Sequence, residues 1–212
     1  MSFTLKHSYT LIAPFYDAVL TGATRGARKH SLAALTAGPP RDVLVMGVGT
    51  GLDLPFLPAQ HRYVGIDLTA AMLARARPRA ADLHFSLLRG DVQRLPFRDA
   101  SFDVAVLHLI IAVVPAPTFC LAEAVRVVKP GGQLLIFDKF LRRGEGGWKR
   151  VANLLTRHLA TRLDVVLEDV LETVGGTTVT SNQAALAGGW FRLVRLEKST
   201  ARAVSGPLVG RD

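Results

Sequence analysis

Apolar residues in this chain fall into two kinds of pattern. Short unbroken runs such as Val43-Leu44-Val45-Met46 suit strands buried on both faces. Longer stretches with apolar positions three and four apart suit helices packed by one face. The first pattern predicts strands over 42–46, 62–66, 83–87, 103–109 and 132–138, and the second predicts helices near 52–58, 69–77 and 117–128, with a long one over 147–174. Residues 3–35 read as one or two further helices, with an apolar set at Leu11, Ile12, Phe15, Val19 and Leu20 and a break or a helix start at Pro14. Five strands separated by helical segments imply a parallel sheet with helices on both faces. Two more strands, 176–185 and 190–197, are joined only by Ala187-Gly188-Gly189, which is too short for a parallel crossover and suits a hairpin. The expectation is therefore a seven-stranded α/β sheet, mostly parallel, ending in an antiparallel strand.

Composition narrows the class. A chain of 212 residues, 49% hydrophobic, with its 11 prolines and 19 glycines spread out, suits one domain with a sizeable core, expected over 1–198. Residues 199–212 lack periodicity and are expected to form a tail. The single cysteine, Cys120, excludes an intrachain disulfide, and its helical neighbours Phe119 and Leu121 suggest buried packing. No Cys/His cluster has zinc spacing, so no metal is expected. The longest apolar stretch, 104–114, contains His108 and stops at Pro115, too short to span a bilayer, and the first twenty residues lack a signal-peptide pattern. A cytoplasmic protein, soluble or peripheral to the inner membrane face, is the expectation. The formal charge of +9 favours an anionic partner such as nucleic acid, an acidic substrate or a lipid surface. Solvated arginines account for it equally well, because no run of five basic residues appears.

The glycine turn after the first predicted strand carries the chemistry. In Gly47-Val48-Gly49-Thr50-Gly51-Leu52 an apolar strand runs into a turn where a ligand can approach the backbone, and a helix-like segment follows. Dinucleotide folds favour Gly-x-Gly-x-x-Gly, but Leu52 occupies that third-glycine position and the glycine falls one residue early, at Gly51. The second strand ends in Asp67, about twenty residues on, where an acid can accept both hydroxyls of a ribose. Leu68 and Met72 can cover an adenine face. After the third strand, Asp91 can accept from an adenine amino group while the Val92 N–H donates to a ring nitrogen. Asp91 read as a turn cap is the plainer alternative.

Taken together, Gly47-x-Gly49-x-Gly51, Asp67, Gly90-Asp91-x-x-x-Leu95-Pro96-Phe97, Phe102-Asp103 and Arg126-Val127-x-Lys129-Pro130-Gly131-Gly132 resemble the class I S-adenosylmethionine (SAM) methyltransferases over residues 10–140. The resemblance implies a Rossmann-like fold and SAM as cofactor, held by Gly47, Val48, Gly49, Thr50, Gly51, Asp67, Leu68, Met72, Asp91 and Val92. Ala13-Pro14-Phe15-Tyr16-Asp17 is similar to the opening of two subgroups, the ubiquinone/menaquinone C-methyltransferases and the bacterial phosphatidylethanolamine N-methyltransferases. Gly47 to Pro55 and Val113-Val114-Pro115-x-Pro117 are closer to the phospholipid group. By this resemblance residues 1–37 form a helical lid that places Tyr9 and Tyr16 near the cofactor, and His108 and Leu109 line the site. One position departs from the pattern: the acid usually found two residues before the first glycine is Val45 here. Backbone carbonyls at Gly47, or Asp53, are candidate substitutes.

The implied chemistry is methyl transfer, in which the enzyme aligns a nucleophile with the methyl group and excludes water. His108 is the candidate base and Tyr16 a candidate catalytic neighbour, although both also suit packed core positions. A small molecule or lipid headgroup is the expected acceptor, with the amine of phosphatidylethanolamine foremost. The stretch Arg142 to Leu163, basic and amphipathic with Trp148, is the expected substrate element and suits either contact with an anionic membrane or packing on the sheet. An RNA methyltransferase is an alternative raised by the charge, against which the chain offers no interleaved aromatic and basic stripe. A non-catalytic SAM-binding protein on the same fold is another, kept open by Val45.

Overall fold

The computed structural model describes residues 22–141, 143 and 165–200. Seven strands form one sheet: β1 (Asp42–Met46), β2 (Arg62–Asp67), β3 (His84–Arg89), β4 (Phe102–His108), β5 (Val128–Lys139), β6 (Thr177–Leu186) and β7 (Phe191–Lys198). Their order is β3-β2-β1-β4-β5-β7-β6, with β7 antiparallel to both neighbours and the remaining pairings parallel. The chain reverses direction across the sheet between β1 and β4. An open α/β sheet leaves a crevice for a ligand at such a point, beyond the carboxyl ends of the strands.

Alternation along the strands builds two cores. Leu44, Met46, Ile66, Ala105, Leu107, Leu134 and Ile136 face helices α3 (Pro117–Val127) and α4 (Leu167–Val174). Val43, Val45, Tyr63, Val104, Val106 and Leu135 face the other side, where Leu32 at the end of helix α1 (22–32), Leu35 just beyond it, and Leu54, Leu57 and Leu73 join them. Cys120 is fully buried in the first core and burial pushes its thiol upward, so it packs there as an inert group. His61, also fully buried, fixes the start of the sheet: its Nε2 donates to the Leu35 carbonyl at 2.7 Å and its Nδ1 accepts the Arg41 N–H at 3.1 Å.

Several boundaries differ from expectation. The 52–58 segment is a single 3-10 turn, Leu54–Phe56, because Pro55 and Pro58 leave too few backbone donors for an α-helix. Helix α2 (Ala70–Ala76) gives way to a 3-10 turn, Arg77–Ala80, at Pro78. No helix separates β3 from β4, where residues 90–101 form turns. β5 starts at Val128, earlier than the pattern suggested, since Val128 pairs with Phe102 across an irregularity that absorbs Pro130, Gly131 and Gly132. The hairpin between β6 and β7 forms as expected, with Ala187 at φ 50° and Gly188 at φ 65°. Of the predicted N-terminal helices the described part is 22–32. Of the expected 147–174 helix, residues 165–174 are described: Val165 and Val166 are not helical, Val166 forming a bridge with Leu141, and the helix is Leu167–Val174. The basic stretch with Trp148 lies, apart from Arg143, outside the described residues.

Candidate functional site

Parallel pairing brings the carboxyl ends of β1, β2, β3 and β4 to one edge, and with them Gly47–Gly51, Asp67–Leu68, Asp91–Val92 and His108–Leu109. The glycine turn is pinned at its start, where the N–H groups of Gly47 and Val48 both donate to the Ile66 carbonyl, at 2.8 and 3.0 Å. Gly47 and Gly49 have φ of +67° and +55°, a region that costs a residue with a Cβ about 1–2 kcal/mol. Their surroundings differ. A Cβ on Gly47 would lie 2.5 Å from the Ile110 side chain, whereas one on Gly49 would meet, among the described residues, only the Gly47 carbonyl oxygen, at 3.9 Å. Gly47 therefore serves packing, and Gly49 borders open space where a ligand can approach.

The Asp67 carboxylate faces that space. Its Oδ2 accepts the Gly49 N–H and its Oδ1 the Thr69 N–H, both at 2.9 Å, so the turn and the acid are locked together. A carboxylate offers about four acceptor positions, and the Thr69 side chain bonds this one as well, so the capacity left over is what a ribose hydroxyl would use. Burial raises the Asp67 pKa, while the two backbone bonds and a side-chain bond from Thr69 oppose that rise. On the next loop Asp91 accepts from the Gln93 N–H at 2.9 Å and from its side-chain amide. Asp91 is thus a turn cap, with lone pairs left for a ligand. Val92 is buried, and Leu68 and Met72 are half-buried. This acid, glycine cradle and apolar set fit an adenosine-bearing cofactor such as SAM.

After β4 the backbone of Leu109 adopts φ 56°, unusual for leucine, and is held by its N–H to the Phe137 carbonyl at 2.7 Å. Strain of this kind gathers at functional sites. Behind the same loop, the fully buried Asp138 accepts the Ala112 N–H at 3.0 Å and the Lys139 N–H at 2.8 Å, and burial pushes it up to about 6.

His108 is placed otherwise than a base should be. Its side chain is 0% exposed, its Nδ1 lies 2.7 Å from Asp53 Oδ1, and its Nε2 lies 2.9 Å from Ser31 Oγ. A carboxylate partner places the proton on Nδ1, and both nitrogens are taken up by the side chains of Asp53 and Ser31. The same Asp53 oxygen accepts from Arg28 Nη1 at 2.8 Å, and Arg28 Nε donates to Thr24 Oγ1 at 3.0 Å. Burial alone would raise Asp53, but the charges and hydrogen bonds of His108 and Arg28 hold it below the ordinary carboxylate range. Asp53 is therefore committed to this network and does not reach out as the missing acid of β1. Val45, 1% exposed, is wholly apolar core. The pattern gave no signal for Arg28 or Ser31. Tyr9 and Tyr16 lie outside the described residues.

Comparison with known proteins agrees with this geometry. The methyltransferase domain family matches residues 44–136. A phosphatidylethanolamine N-methyltransferase of Cereibacter sphaeroides is 31% identical over 86% of this chain and 92% of its own length. A demethylmenaquinone methyltransferase of Renibacterium salmoninarum is 37% identical over 60% of this chain, which spans about half of that relative (55%). The crystal structure of a SAM-dependent methyltransferase of Thermotoga maritima shares the fold, with a TM-score of 0.67 and 21% identity over 91% of this chain and 99% of its own.

Proposed function

Since the chain belongs to the class I SAM-dependent methyltransferases, with SAM as methyl donor, we propose that its acceptor is the headgroup amine of a phospholipid, phosphatidylethanolamine in the first instance. The observation that carries this choice is His108. With both ring nitrogens engaged and no exposure, the histidine at the end of β4 offers no base to a carbon or oxygen nucleophile that must lose a proton during transfer. An amine releases its proton to solvent beforehand and then needs only alignment and exclusion of water. The likeness to a phosphatidylethanolamine N-methyltransferase along 92% of that enzyme supports the same acceptor.

When bound, SAM supplies a methyl group on a sulfonium already primed for displacement. In this reading Asp67 holds the ribose hydroxyls, the turn Gly47–Gly51 with Val48 and Thr50 lets the donor lie against the backbone, and Leu68 and Met72 cover the adenine. Asp91 and Val92 read its edge, and Leu109 lines the reacting end. The acceptor is embedded in a membrane, and the charge of +9 suits peripheral contact with an anionic surface. Among the described residues no helix is long and apolar enough to cross a bilayer.

Methyl transfer from labelled SAM would be followed into vesicles containing phosphatidylethanolamine, into demethylmenaquinol and into bulk RNA. Label in monomethylated phosphatidylethanolamine is the expected result. Label only in the quinol would replace the lipid amine with the acceptor named for several relatives, and label only in RNA would remove both.

A further inference from the structure

The buried group Arg28–Asp53–His108 joins three parts of the molecule far apart in sequence. Asp53 sits two residues beyond Gly51, on the donor side of the site. His108 ends β4, one residue before Leu109 and the loop that closes the site. Arg28, Ser31 and Thr24 belong to helix α1. One carboxylate oxygen accepts from both the guanidinium, at 2.8 Å, and the imidazole, at 2.7 Å, with the three side chains 8%, 6% and 0% exposed. Ser31, on the next turn of the helix, closes the circuit on the far side of the imidazole at 2.9 Å. Ion pairs this deep cost desolvation, and replacing such a group by apolar side chains of similar volume is often neutral or stabilising. Stability alone therefore does not account for it.

We infer that Arg28 and Asp53 are positioning residues for methyl transfer, clamping helix α1 to the loops on both sides of the donor through a fixed, unreactive His108. The β1 acid that the family pattern leads one to expect is absent, and the acid that follows the glycine turn, Asp53, reaches sideways to α1. Occupancy of the donor site orders the glycine turn, and Asp53 passes that order to Arg28 and so to the helix. The clamp also sets the spacing between the glycine turn and the loop after β4. A misplacement on the order of 1 Å between such loops costs about a hundredfold in rate. The inference rests on donor binding at the glycine turn and is independent of which acceptor is methylated.

The test uses the full chain with S-adenosylhomocysteine, the demethylated donor. Hydrogen exchange of the amides in 22–32 is measured with and without it, beside calorimetric binding and kcat. Wild-type protein is expected to gain protection in 22–32 on binding. Removing Arg28 alone strands a buried carboxylate and risks the fold, so the informative variant is Arg28→Met with Asp53→Asn, which removes one charge of each sign and keeps an oxygen for the His108 Nδ1–H. That variant is expected to fold and to bind within about threefold of wild type, to lose the gain in protection, and to fall about tenfold or more in kcat. Two results would overturn the clamp: no change in protection of 22–32 in wild type despite binding, or a double variant with wild-type kcat and protection. Absence of binding by wild type would remove the donor site itself, and the clamp with it.

Discussion

At the scale of single residues the two outer features of the glycine turn separate packing from binding. Gly47→Ala puts a methyl group into the Ile110 side chain at 2.5 Å and holds it at positive φ. Overpacking of about 1–3 kcal/mol adds to about 1–2 kcal/mol of backbone strain, so denaturant unfolding should show a large loss of stability. Gly49→Ala carries only the backbone strain, with its methyl in open space, and is expected to fold yet bind S-adenosylhomocysteine poorly in calorimetry. Equal stability of the two variants would remove the distinction. Asp138 gives a second residue-scale prediction, this one about pH. Burial raises it from 3.8 to about 6 in the folded protein, so the native state binds the proton more tightly than the unfolded chain. Its favourable contribution is complete below about pH 4 and is lost as pH rises through about 6, a change of about 3 kcal/mol across the window. Asp138→Asn cannot titrate, and its loss of one acceptor for the Ala112 or Lys139 N–H is independent of pH. The stability of wild type relative to this variant should therefore decline between pH 4 and 8, and a flat difference would refute the assignment.

At the scale of elements, the link between β3 and β4 shows what holds a long turn without a helix. Arg126 of α3 donates to the carbonyls of Phe97 at 2.7 Å and Leu95 at 3.2 Å, and pairs with Asp99 and Glu123. Glu123 in turn accepts the Leu95 N–H at 2.6 Å. One side chain thus satisfies two carbonyls of the turn, and Arg126→Ala is expected to cost about 2–3 kcal/mol of stability by thermal or chemical unfolding. Arg126→Lys should recover little, since an ammonium cannot reproduce the five-donor fork. The strands were legible because two-sided burial writes itself as apolar runs, and most edges moved by a residue at most. The segment 52–58 misled because its apolar spacing suits a helix while Pro55 and Pro58 forbid one. Asp67 and the glycine turn were readable from local order. The partners of His108 were not: Asp53 and Ser31 lie 55 and 77 positions away, and no periodicity links them. Arg126 stood in the sequence as part of a recurring pattern, but its task of holding 95–97 belongs to tertiary structure.

At the scale of the whole molecule, the proposed donor site draws on the ends of four parallel strands spread from Gly47 to Leu109, so binding there ties together segments that otherwise meet only through the sheet. A ligand held by the native state alone stabilises it by mass action, about 2.7 kcal/mol at roughly a hundred times its dissociation constant. For a chain of 212 residues that corresponds to a rise of about 5–10 °C in Tm. S-adenosylhomocysteine should produce this shift in scanning calorimetry, while adenosine, lacking the amino-acid end, should give less. Asp67→Ala removes the carboxylate that both fixes the glycine turn and faces the ribose. It should lower the Tm of the free protein modestly, through the orphaned N–H groups of Gly49 and Thr69, and abolish most of the ligand-induced rise. Because the two effects are read separately, a variant that loses stability yet keeps the full ligand shift would place the ribose elsewhere and return Asp67 to a purely structural role.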